Sequence, residues 1–216
     1  MTDRDLDVLC DLLSHSSPEA VLSLNETGLW WLPPLAGKTH MEAVALIRFA
    51  LEVFAMDDVR TFCLAWLYCC LSERLLIRQW QHYRVGTSPV PLTGDFVLHR
   101  RLASALLYPG GHTMGAWIES AGVIYACVLA TNPERPPSQH DVFCFSVCRS
   151  SPYLYIHGAS SNPRVINALR LVLRRDPART PDMYLGELRF AFAPTSQPRT
   201  AAFDELGFIL DTLGLE

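Results

Sequence analysis

Residues 60–73 read RTFCLAWLYCCLSE, and the twelve positions from Thr61 to Ser72 carry no formal charge between Arg60 and Glu73. Twelve residues are too few to cross a bilayer as a helix, which takes about 20. The run is apolar nearly all round from Phe62 to Leu71, and a helix of that kind belongs at the centre of a core. Asp57 or Asp58 supplies its cap. Phe62, Trp66, Cys69, Cys70, Leu76 and Trp80 carry the predicted helix to about Tyr83.

The segments before it also read as helix. Leu6, Leu9, Cys10 and Leu13 fall on one face after a Thr2/Asp3 cap, and Ser17-Pro18-Glu19 opens a short helix through Leu24. Residues 25–39, NETGLWWLPPLAGKT, form a loop, since Pro33-Pro34 forbids helix. Thr39 then caps a helix to about Met56, with Val44, Ile47, Leu51 and Phe54 as its buried stripe.

Beyond the loop 86–95, GTSPVPLTGD, the chain predicts one helix to Tyr108 and then changes character. Ala116–Ala130 is a β-rich run weakened by Gly122, and Asp141–Cys148 has Tyr153–His157 as its hairpin partner. Ser161-Asn162-Pro163 starts a helix to about Arg175, Tyr184–Phe192 alternates as a strand, and Ala201–Leu213 closes as a helix. The expected fold is α+β: a helical N-terminal half packed on a small, mostly antiparallel sheet with two further helices. Residues 1–216 read as a single domain, with a possible division into 1–85 and 95–216 at the intervening loop.

Composition narrows the function. The 216 residues carry a net charge of −4, so no global field draws the chain to nucleic acid or a membrane. Charged residues make up 19%, below the roughly 25–35% of an ordinary soluble surface, which leaves apolar area for a partner to cover. The 17 Arg against one Lys (Lys38) fit a GC-rich coding bias, and with seven Cys and fifteen Pro suit a viral accessory protein or an animal gene. The acidic start MTDRDLDVLCDLL is no signal peptide, so the expected location is intracellular, cytoplasmic or nuclear, with reduced thiols.

Each candidate for chemistry has a plain structural counterpart. His140, Cys144 and Cys148 form H-x3-C-x3-C, a zinc-type donor set. On a strand it spreads over roughly 26 Å at about 3.3 Å per residue, and a fourth ligand has to come from Cys127, His157 or His112. His112 with Asp141 and Cys144 makes a hydrolase triad on paper, without a nucleophile elbow to support it. Cys63, Cys69 and Cys70 read as small core hydrophobes. Arg164, Arg170 and Arg174, with Arg175 beside them, make a cationic stripe suited to anions or an acidic partner.

Two apolar segments read as docking elements. Phe203, Leu206, Leu210 and Leu213 form a stripe in the acidic C-terminal segment, and Trp30-Trp31 is either a lid on the core or an exposed anchor. The reading favoured by the residues is a non-catalytic intracellular interaction or regulatory protein without a cofactor, binding another protein or a second copy of itself. The alternatives are a zinc-stabilised nucleic-acid-binding regulator and a Cys or Ser hydrolase around His112 and Cys144.

Overall fold

A computed structural model of the chain describes residues 1–74, 76–77, 80–84, 98–132, 139–148, 153–157, 163–173 and 178–179. Helix α1 (Asp3–Ser14) starts in a capping box, in which the Asp5 carboxylate accepts from the Thr2 backbone N–H at 2.9 Å and the Thr2 hydroxyl at 3.0 Å. Ser17 caps α2 (Pro18–Leu22), whose Pro18 needs no hydrogen-bond partner at the first helical position. Thr39 and Glu42 form the capping box of α3 (His40–Glu52). The helix α4 (Asp57–Glu73) follows, and every residue from Thr61 to Ser72 is buried.

Helix α4 can lie in the core because its few polar groups are satisfied locally. The Thr61 hydroxyl donates to the Asp57 carbonyl at 2.7 Å and the Ser72 hydroxyl to the Tyr68 carbonyl at 2.8 Å. The Cys69 thiol donates to the Ala116 carbonyl at 3.3 Å, which ties the helix to the sheet. Fully burying a side chain such as Phe62, Leu64 or Leu67 contributes about 1.5–3 kcal/mol.

The sheet is antiparallel throughout its described pairs, in the order β2 (Thr113–Ser120), β3 (Val123–Thr131), β4 (His140–Cys148), β5 (Tyr153–His157), β1 (Gln81–Arg84), β6 (Ala178–Arg179). One face carries Ala116, Ile118, Cys127, Leu129, Cys144 and Tyr155 into a core shared with α1–α4. The other face carries Ala126, Val128, Phe143, Phe145, Leu154 and Ile156 against α5 (Leu98–Leu106) and α6 (Pro163–Leu173). Covered on both faces, β3 is buried along its whole length, which is why it reads as continuous apolar sequence. The architecture is the expected α+β, with a helical N-terminal half and two further helices.

Three local expectations change. The run 116–130 is two strands, because Ala121 (φ 51°) and Gly122 (φ 76°) form a two-residue turn with both residues left-handed. The central helix ends at Glu73, where Leu76 N–H reaches back to the Leu71 carbonyl at 2.9 Å, and Gln81–Arg84 pairs with β5. The α3 helix stops at Glu52, short of Met56. The strand at Tyr184–Phe192, the helix at Ala201–Leu213 and the loop 86–95 lie outside the described residues.

Phe62→Ala should lower the unfolding free energy by about 3–5 kcal/mol, from lost transfer energy and the cavity left in the core. Ala121→Asn should raise it by a few tenths of a kcal/mol, since Asn tolerates the left-handed region better than Ala. Urea titration of both variants against the parent chain reads the two effects.

Candidate interaction surface

Helix α3 buries Ala43, Val44, Ile47, Ala50 and Leu51 against its neighbours, which include α1, α2 and α4. Its opposite side carries apolar residues among the charged Glu42, Arg48 and Glu52. Met41 is 65% exposed, Phe49 61% and Val53, just past the helix end, 60%. Met41, Ala45, Phe49 and Val53 recur every fourth position, so they form one continuous outer ridge. An open hollow of about 380 Å³ lies beside it, lined by Lys38, Glu42, Ala45, Leu46 and Phe49. On α3 itself Arg48 binds Glu52 at 2.7 Å and reaches Asp7 of α1 at 2.8 Å, so its charge is already balanced within the chain.

The tryptophan loop packs on Phe54, just past the end of α3. Asn25 accepts from the Leu35 backbone N–H at 2.9 Å and closes the loop's ends together. Trp31 is buried and Trp30 is half exposed, and both meet the Phe54 ring edge-on, at 5.8 Å for Trp30 and 6.4 Å for Trp31. The adjacent indoles divide the two roles between them: Trp31 closes the core and Trp30 stands outside it.

Two histidines sit where the helical layer meets the end of the sheet. The buried His140 donates its backbone N–H to Asp5 at 2.9 Å, and its Nδ1 lies 3.0 Å from the same carboxylate. Burial alone raises the pKa of Asp5. The bonds from His140 and Thr2 outweigh it and hold the group below the ordinary carboxylate value. His112 lies edge-on to His140 at 5.8 Å and pairs through Nε2 with Asp58 at 3.0 Å. Burial lowers the pKa of His112, Asp58 pulls it back up, and the neighbouring His140 ring lowers it again, leaving it below the usual histidine value.

The remaining sequence candidates are placed as follows. His140, Cys144 and Cys148 point to one side of a single strand, in steps of roughly 13 Å, so they do not converge. Cys127 and His157 lie abreast of Cys144 on the flanking strands. Among the described residues no group of three His, Cys, Asp or Glu is placed to hold a metal ion. Asp141 alternates to the opposite face from Cys144 and accepts from Asn132 at 2.9 Å, while His112 is engaged by Asp58, so the paper triad is not assembled. Burial pushes the Cys63 and Cys70 thiols up to about 12 and Cys127 well above its usual value, as core thiols.

On α6, the Arg164 guanidinium donates to the Leu106 carbonyl and, at 3.3 Å, to the Thr131 carbonyl, and it stacks over Tyr108 at 5.2 Å. Arg164 therefore fastens α6 to the end of α5 and to β3. Arg170 is exposed and donates to Asn167 at 3.1 Å. Arg174, Arg175, Phe203, Leu206, Leu210 and Leu213 lie outside the described residues. No protein-family model matches the chain, and neither does any curated protein.

The ridge on α3 escaped the sequence reading because Val44, Ile47, Leu51 and Phe54 already account for a buried face. The signal was a second i, i+4 series, Met41-Ala45-Phe49-Val53, on the far side of the same helix. Asp5 and Asp58 escaped because an acid in a helix's first turn is explained by capping alone.

The histidine pair generates a signed pH dependence. His112 has a folded-state pKa below its unfolded value of about 6.5, so the unfolded chain takes up the proton first as pH falls. The stability this group confers is present above about pH 6.5 and is lost as pH falls from there towards the folded value. His112→Gln should remove that part of the slope in pH-dependent urea unfolding. In an NMR titration Asp58→Asn should lower the His112 pKa further; a rise would exclude the Asp58 carboxylate as its support.

Proposed function

We propose that the protein is a non-catalytic interaction or regulatory protein that acts inside the cell through its exposed apolar surface, with α3 and Trp30 at its centre. The observation that carries this reading is the outer ridge of α3: Met41, Phe49 and Val53 are each at least 60% exposed on or next to a helix whose other side is already buried. Isolated exposed apolar residues are ordinary, but an apolar ridge beside a hollow is what a protein partner covers. The low charged fraction of the chain supports the same reading. The cationic part of the surface has a smaller role in it, because Arg164 is engaged within the fold.

No helix among the described residues is long and apolar enough to cross a membrane, in keeping with a protein that meets its partner in solution.

A photo-reactive phenylalanine analogue at position 49, installed in the cells that make the protein, should form a covalent adduct with another polypeptide on irradiation. The same analogue at the exposed Asn167, on the opposite side of the sheet, should not. If position 49 yields no protein adduct, α3 is not an interaction surface and the reading falls.

A further inference from the structure

We propose that Cys127 and Cys144 are a cross-strand redox pair, which closes into a disulfide when the chain folds in an oxidising medium and stays as two thiols in a reducing one. The register of the sheet places them, with Cys127 on β3 directly opposite Cys144 on β4. Just beyond the ladder the Asn132 N–H donates to the Gln139 carbonyl at 3.1 Å, which makes those two opposed residues a hydrogen-bonded pair. Such pairs alternate along an antiparallel ladder. The next pair, Thr131 and His140, is therefore not hydrogen-bonded across, and neither is Cys127 with Cys144 four positions further along. The backbone N–H groups of Thr131 and His140 agree with this, since they point away from each other, to His112 and to Asp5.

In a pair of this kind the Cα atoms lie about 4.5 Å apart, within the roughly 4.4–6.8 Å that a disulfide spans. Both side chains are buried on the α4 face of the sheet, and the two thiols share a hydrogen bond. Among the described strand pairs no other two cysteines are opposed. Cys148 stands opposite Val123, and Cys63, Cys69 and Cys70 belong to one helix. Cys69 reaches the same row of the sheet, where its thiol donates to the carbonyl of Ala116, the register partner of Cys127.

Burial decides when the bond can form. The thiolate is the attacking species, and the folded chain holds the Cys127 thiol well above its usual pKa with no surface open to an oxidant. The exchange therefore runs while the strands are still open, with a low-molecular-weight disulfide as the oxidant. One cysteine thiolate attacks that disulfide and releases one small thiol, leaving a mixed disulfide. The second cysteine thiolate attacks the protein sulfur of the mixed disulfide and releases the other small thiol. Two protein thiols are oxidised to one disulfide, the small disulfide is reduced to two thiols, and the two protons pass to the released thiols. Pairing of β3 with β4 selects the partners, and packing of α4 over them seals the bond.

The test unfolds the full chain in urea under reducing conditions and refolds it in oxidised or in reduced glutathione. The chain refolded in oxidised glutathione should be lighter by two hydrogens. Cleavage after Glu134 and after Phe145 separates Cys127, Cys144 and Cys148 onto different peptides, and Cys127 should be found joined to Cys144. The linked form should unfold at a urea midpoint higher by about 1 M, because the bond constrains the unfolded chain. Cys144→Ala should abolish both the link and the difference in midpoint; the peptide map of the parent chain decides the question even where that variant does not fold. Protein kept folded throughout in the same oxidised buffer should stay reduced while the refolding chain is oxidised. Free thiols or glutathione adducts alone after oxidative refolding, or Cys127 joined to Cys69 or Cys148, would each overturn the proposal. So would a linked form no more stable than the reduced one, or oxidation of the folded chain at the same rate.

Discussion

The structure is organised around the requirement to cover α4 on all sides. A helix that is apolar round its full circumference has no side to offer water, so the neighbouring elements have to supply a surface in every direction. The sheet covers one side through Ala116, Ile118, Cys127, Leu129 and Cys144, and the N-terminal helices cover the rest with Leu6, Leu9, Leu13, Ile47 and Leu51. Because α4 is covered from both directions, the helical half and the sheet share one core, and the bond from Cys69 to the Ala116 carbonyl lies inside it. The second face of the sheet is then free to take α5 and α6 as a separate apolar layer.

A joint of this kind needs polar fastening at its edges, where apolar contact alone does not fix register. Asp5 and His140 supply one such fastening. The carboxylate that opens α1 accepts from Thr2 within its own helix and from the ring and backbone of His140 at the start of β4, across 135 positions of chain. Four donors on one buried carboxylate offset the cost of removing it from water, which is why it stays ionised despite burial. Asp58 and His112 repeat the arrangement between the start of α4 and the approach to β2, closer to solvent. Acids placed for capping thus also pin both helices to the sheet.

The parts of this fold that were legible in the sequence are those whose chemistry is local. Thr2, Ser17 and Thr39 announce helix starts through side chains three positions from the groups they serve. The Tyr153–His157 hairpin partner follows from alternation alone. The end of α4 was not legible, because Leu75, Leu76 and Ile77 continue the apolar pattern and no Gly or Pro intervenes before Gly86. What ends the helix is strand pairing with β5, far away in sequence. The split of 116–130 turned on Ala121, which carries no turn signature and is driven into the left-handed region by the strands on either side of it. The pairing of Asp5 with His140 was invisible for the same reason: two residues 135 positions apart have no pattern in common.

The candidate surface belongs to the same physics as the core. Helix α3 meets the interior with Ala43, Val44, Ile47 and Leu51, a set of moderate size that lets it sit close to its neighbours. An ordinary surface helix would then turn charged residues outward. In α3 the outer side carries Glu42, Arg48 and Glu52, of which Arg48 and Glu52 neutralise each other and Asp7 completes the network. The ridge between them is left to Met41, Ala45 and Phe49. A chain with so few charges cannot shield every apolar residue with its own polar groups; among the described residues Val8, Leu107 and Leu171 are exposed singly, while Met41, Phe49 and Val53 share α3 and its end. Those three lie beside a hollow, on a helix whose other side is already in the core. On the proposed reading, a partner would cover what the chain's own elements leave exposed there.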